Sequence, residues 1–168
     1  GCGDGRLSSL ARSGGVSIGQ WTGVDLSAEA VDVAAARNPL DRFVVASVDD
    51  LAFESESFDV AIASTLFSSL PSRTFEKAAA REVSRVLVRG GWLIWYDLRY
   101  DNQRNANVHG VSLADLHEFF PTWRQELTPM TLLPPIARRL GLTTPVLYPA
   151  LHAIHPLRSH LAGRLQRP

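Results

Sequence analysis

Gly1-Cys2-Gly3-Asp4-Gly5-Arg6-Leu7 opens the chain, and the next strand-like run, Gln20-Trp21-Thr22-Gly23-Val24-Asp25, ends in an acid. A Gly-x-Gly-x-Gly turn between a strand and a helix lets a ligand come close to the backbone where a Cβ would collide. It also leaves amide hydrogens free at the helix start. By itself such a turn serves packing as readily as binding. The acid sharpens it, because a carboxylate about 20 residues beyond the turn can accept both hydroxyls of a ribose. A helix-capping role is the other reading of Asp25. A glycine turn needs a strand leading into it, so a first strand is expected upstream of Gly1.

Outward from this turn the chain alternates helical and strand-like patterns with short loops, the signature of a parallel sheet covered by helices. Arg6 to Ser13 fits a helix, and Ser27 caps a second one, Ala28 to Arg37, that stops before Pro39. Phe43-Val44-Val45-Ala46 and Phe58-Asp59-Val60-Ala61-Ile62-Ala63 read as buried strands. Ser72 caps a helix with Phe75, Ala79, Val83 and Val86 on one face, and Arg81, Glu82 and Arg85 mostly outside it. Gly90-Gly91 is expected to end that helix with a positive φ, before a strand at Trp92-Leu93-Ile94-Trp95-Tyr96. Ser112 with Asp115 forms a capping box for a short helix ending near Phe120-Pro121.

With 168 residues, 45% hydrophobic and 20% charged, the chain suffices for one globular unit with a real core. Its formal net charge is zero, so no global field recruits nucleic acid. The single cysteine, Cys2, excludes an internal disulfide framework, and no signal peptide is visible, which makes the cytoplasm the expected compartment. No apolar run reaches the roughly 20 residues of a spanning helix. No metal ligand set is assigned.

Four ordered blocks resemble the signature of class I S-adenosylmethionine-dependent methyltransferases with a type 11-like domain. They are Gly1 to Leu7; Val24-Asp25-Leu26-Ser27; Asp49-Asp50-Leu51-Ala52-Phe53 with Ser57-Phe58-Asp59-Val60; and Val86-Leu87-Val88-Arg89-Gly90-Gly91. The resemblance covers residues 1 to about 98 and implies a Rossmann-like, doubly wound, mostly parallel sheet with helices on both faces. It implies S-adenosylmethionine as cofactor, with Gly1, Cys2, Gly3 and Gly5 at its methionine and ribose portion and Asp25 on the ribose. Leu26, Ser47, Val48 and Asp49 would border the adenine, and Ala63 and Ser64 would lie near the cofactor. Ser47 stands where many relatives carry an aspartate, so the adenine contact shifts to backbone or to Asp49. Asp49 and Asp50 also suit turn and capping roles. Phe67-Ser68-Ser69-Leu70 replaces a histidine pair found in many relatives, so no general base carries over there.

Trp95 to Asn102 and the stretch Arg104-Asn105 to His109-Gly110 look like a bacterial subgroup associated with surface-glycan or lipid-linked pathways. The acceptor implied is a glycan, a lipid-linked molecule or a small metabolite. Asp97, at the carboxyl end of a strand, is the first candidate for acceptor binding or proton removal. Tyr96, Arg99, Tyr100, Asn102 and His109 form the next group, with Tyr96 and Asp97 on opposite faces. A structural role is the competing reading for each. Residues 1–130 are expected as the cofactor domain and 131–168 as a basic, amphipathic helical extension packed on it. Leu140, Leu147, Leu151, Ile154 and Leu161, with arginines such as Arg138, would then offer peripheral contact with the inner face of a membrane as the alternative. A nicotinamide-dependent oxidoreductase needs G-x-G-x-x-G spacing, which this turn lacks. A non-catalytic cofactor-binding domain stays open, given Ser47 and the missing histidines.

Overall fold

The computed structural model describes residues 1–101, 105, 107–133, 136, 139 and 144–168. After the glycine turn come α1 (Arg6–Ser13), β1 (Thr22–Asp25), α2 (Ala28–Arg37) and β2 (Arg42–Val45). Then follow β3 (Phe58–Ser64), a 3-10 turn (Phe67–Ser69), α3 (Arg73–Val86) and β4 (Leu87–Leu98). The chain closes with α4 (Leu113–Phe119), β5 (Arg124–Leu132), α5 (Thr144–His152) and β6 (Arg158–Gln166).

The serines read as caps are caps. Ser27 Oγ accepts from the Ala30 amide at 3.2 Å and Ser72 Oγ from the Phe75 amide at 3.3 Å. Ser112 and Asp115 complete a reciprocal box. Gly90 does have positive φ, but α3 already ends at Val86 and Leu87 is extended. The glycine pair instead bends β4 and holds β6, the Gly90 amide donating to Arg167 O and the Arg167 amide to Gly91 O, both at 3.0 Å.

β1 and β2 pair in parallel, as do β3 and β4. Beyond β4 the sheet turns antiparallel, in the order β3-β4-β6-β5. The strand polarity expected from the first half therefore holds up to β4. The terminal segment differs from a purely helical extension: α5 is helical, but residues 158–166 run as a strand between β4 and β5. Of the apolar set read there, Leu161 is a core residue, whereas Leu147 and Ile154 are exposed. Three of the tail arginines are occupied internally. Arg158 donates to His152 O and Pro129 O, Arg164 pairs with Glu126 and stacks on Trp92, and Arg167 binds Leu87 O and Glu56. Leu140 and Arg138 lie outside the described residues. Among the described residues no helix is long and apolar enough to cross a membrane.

The core lies on the face of the four-stranded sheet that carries Ala63, Leu93, Trp95, Leu161 and Leu165. It is closed by Ala79, Ala80 and Val83 of α3 and Leu116 and Phe119 of α4. Phe67 sits at its centre, with ring centroids 4.9 Å from Trp95 and 5.7 Å from Phe119. This packing fixes the 3-10 turn at the carboxyl ends of β3 and β4, where open α/β sheets place ligands.

Candidate functional site

The glycine turn is tied to β1 at two levels. The Cys2 amide donates to Val24 O at 2.7 Å, and the Gly3 amide donates to Asp25 Oδ2 at 2.8 Å. The other carboxylate oxygen takes the Ser27 amide at 3.0 Å. Burial works against charge on Asp25, but the Ser27 and Gly3 amides outweigh it and hold its pKa below the usual carboxylate range. A carboxylate offers about four acceptor positions, so two remain for ribose hydroxyls. Ser27, not Asp25, caps the helix, and the local bond from Asp25 to the Ser27 amide is compatible with a ligand role.

The three glycines divide their work. Gly3, at φ 51°, has nothing within 4 Å of the position of a Cβ, which is open room beside the backbone. Gly5, at φ 73°, would place a Cβ 2.7 Å from Asn38 Nδ2 and 3.0 Å from Ala34 Cβ. Gly5 is thus required by packing on α2, a role that stands beside its expected place at the cofactor. A Cβ on Gly1 would meet Leu66 Cδ1 at 3.2 Å, which puts the turn beside the segment after β3. The Cys2 thiol is pushed up by burial.

Leu26 is 74% exposed, an apolar side chain free to be covered by a ring. Ser47 donates a short hydrogen bond to Asp49, which ties these two candidates together. Val48 packs on the core. Ala63 is buried, Ser64 is exposed, and Thr65 follows with φ 50° while its amide donates to Tyr96 O at 2.7 Å. The block Leu51-Ala52-Phe53 is held from α3. Arg85 donates to Leu51 O at 2.8 Å and Phe53 O at 2.7 Å, while Glu82 accepts the Leu51 amide at 2.8 Å.

Asp97 and Tyr96 do point to opposite faces. Asp97 is fully buried, accepting from the Ser68 amide at 3.2 Å and the Leu98 amide at 2.8 Å. Burial raises its pKa against those amides. In this position it anchors the 3-10 turn instead of meeting an acceptor, because neither oxygen reaches solvent. Tyr96 bonds Thr131 Oγ1 at 3.0 Å and stacks on His160 at 4.7 Å. Burial lowers the His160 pKa.

His109 is placed at the same edge by its amide, which donates to Ser68 O at 3.0 Å. Its Nε2 makes a short hydrogen bond with Glu76 Oε1. Glu76 is 2% exposed and also accepts from Arg73 at 3.2 Å. Nothing in the sequence marks Glu76, since an acid in the first turn of a helix ordinarily answers the helix dipole. Arg99 stacks on the Tyr100 ring at 4.6 Å and lines a cavity of ≈ 280 Å³ with Tyr100 and Leu161. Asn102 lies outside the described residues. Among the described residues no group of three His, Cys, Asp or Glu is placed to hold a metal.

The family described as "Methyltransferase domain" matches residues 1–95. The chain belongs to that family, and its cofactor is S-adenosylmethionine. The methyltransferase domain is 35% identical over 103 residues to phthiotriol/phenolphthiotriol dimycocerosates methyltransferase 1 of Mycobacterium ulcerans. The match spans 58% of this chain and 37% of that relative. In fold it resembles an S-adenosylmethionine-dependent methyltransferase from Mesorhizobium loti, with TM-score 0.73, 16% identity, and coverage of 99% of this chain and 88% of that one. The [4+2]-cyclase SpnF is also similar, with TM-score 0.73, 16% identity, and coverage of 100% and 73%.

Proposed function

We propose that the protein transfers the methyl group of S-adenosylmethionine to a glycan, lipid-linked or small-metabolite acceptor at the carboxyl edge of β3 and β4. The observation that carries this reading is the Asp25 carboxylate holding the Gly3 amide at 2.8 Å, beside open room at Gly3 and the exposed Leu26. The mycobacterial relative, by its name a methyltransferase of dimycocerosates, supports a lipid-type acceptor.

The cofactor supplies an already activated methyl group on a sulfonium. What the chain must add is position and exclusion of water. Asp25 and the glycine turn orient the nucleoside end, and the buried Asp97 holds the 3-10 turn in place. For an acceptor atom that carries a proton, His109 is the group placed to receive it, with Glu76 fixing the imidazole and balancing its charge.

Calorimetry with S-adenosylhomocysteine and with NAD tests the cofactor assignment; binding of the first alone is expected. Radiolabelled methyl transfer into separated lipid, glycan and small-metabolite fractions tests the acceptor. Label in the lipid or glycan fraction is expected, and label in none of the three overturns methyl transfer to these classes.

A further inference from the structure

Arg99 leaves β4 with its amide donating to Ser159 O at 3.0 Å. Its guanidinium lies over the face of Tyr100, and among the described residues Nη1 is buried without a hydrogen-bond partner. A guanidinium is always charged, and a buried donor left unmade costs its full desolvation. Native structures rarely tolerate such a group without a reason. The cavity beside it, ≈ 280 Å³, is lined by Arg99, Tyr100, Ser112, Leu113, Ala114 and Leu161. None of these is acidic. The nearest acids along the chain are engaged elsewhere: Asp97 accepts the Ser68 and Leu98 amides, Asp101 accepts the Gly110 amide, and Asp115 takes Ser112 and Arg73.

We infer that this cavity is an oxyanion subsite of the acceptor pocket, in which Arg99 receives a carboxylate or phosphate group of the methyl acceptor. The Tyr100 ring lies 4.6 Å from Arg99 Cζ and covers one side of the guanidinium, whose planar N–H groups suit the paired N–H···O contacts that such anions accept. Leu113, Ala114 and Leu161 offer apolar wall to the carbon portion next to the charge. A phosphate from a lipid-linked glycan and a carboxylate from a small metabolite present the same chemistry to Arg99. The inference deepens the methyl-transfer reading and rests on it for the word acceptor, while the anion site itself does not.

The test follows the arginine Nε–Hε resonances of the ¹⁵N-labelled chain during separate titrations with inorganic phosphate and with acetate, at ionic strength held constant with sodium chloride. Saturable movement of the Arg99 resonance with either anion is expected, and the tighter anion identifies the headgroup. Arg99→Lys keeps the charge but loses the planar fork, so about a tenfold weakening is expected, read in both proteins from the backbone amide resonances of Tyr100 and Leu113, since the variant has no Arg99 side-chain signal. Leu113→Glu leaves Arg99 intact and places a carboxylate in the cavity, and it is expected to suppress the titration. No saturable shift with either anion, equal drift of all arginines, or unchanged binding in Arg99→Lys would overturn the subsite. Calorimetry with S-adenosylhomocysteine on the same samples separates the two claims. Unaltered cofactor binding in Arg99→Lys is expected, whereas absence of cofactor binding in the parent sinks methyl transfer and leaves the anion result standing.

Discussion

Asp25 shows how one side chain serves fold and ligand together. Its oxygens hold the Gly3 and Ser27 amides, and its depressed pKa keeps it charged through the neutral range. The stability that follows from a depressed carboxyl pKa is fully present above the ordinary value of about 4 and is lost as pH falls through the lowered one. Asp25 therefore contributes no change in cofactor affinity from pH 8 to pH 5, and its contribution to the unfolding midpoint is lost only in stronger acid. Asp25→Asn removes the charge and one acceptor, for a loss of about 1.5–3 kcal/mol, or roughly 10- to 100-fold in S-adenosylhomocysteine affinity measured by calorimetry. The glycines allow a sharper contrast. Gly5→Ala combines a left-handed backbone with a collision on Asn38 and Ala34, so it destabilises by about 2–4 kcal/mol in urea titrations. Gly3→Ala meets no neighbour and costs only about 1–2 kcal/mol of stability, yet it fills the room left for the ligand and lowers affinity more than Gly5→Ala does.

At the scale of elements, α3 joins the parts that sequence alone kept apart. Its inner face packs on the sheet, its first turn holds His109 through Glu76, and its last turns hold Leu51 and Phe53 through Glu82 and Arg85. Arg85→Leu leaves two carbonyls and Glu82 without their partner, which costs about 1–3 kcal/mol and accelerates hydrogen exchange at the Leu51 amide. The turn, the caps and the first four strands were legible because each rests on local chemistry: glycine φ, a serine before a helix, a run of β-branched residues. Glu76 and Asp97 were opaque for the opposite reason. Their roles depend on His109 and Ser68, partners 33 and 29 residues away, and no pattern along the chain announces such a meeting. β6 stayed hidden because Leu147, Leu151, Ile154 and Leu161 recur at helical spacing, although Leu161 belongs to a strand over 158–166.

Across the whole molecule, the likeness in fold to a cyclase as well as to methyltransferases shows one architecture hosting more than one chemistry, with function set in the loops grafted on the frame. Those loops depend on a frame that closes only with β6. It lies between β4 and β5, its Leu165 is fully buried, and Arg167 reaches back to Leu87 and Glu56. A peripheral extension could be removed with little effect on the rest; an interior strand cannot, because its loss bares the edges of two neighbours and one wall of the core. Leu165→Ala is accordingly expected to cost about 2–5 kcal/mol in urea titrations. A chain ending at Leu157 should lose its cooperative thermal transition and run as aggregate on size exclusion. It should also lose S-adenosylhomocysteine binding, although none of the residues placed at the cofactor belongs to β6. Retention of a sharp transition and of cofactor affinity by that shortened chain would show that the first half folds and binds independently, and that β6 is an attachment and not a member of the frame.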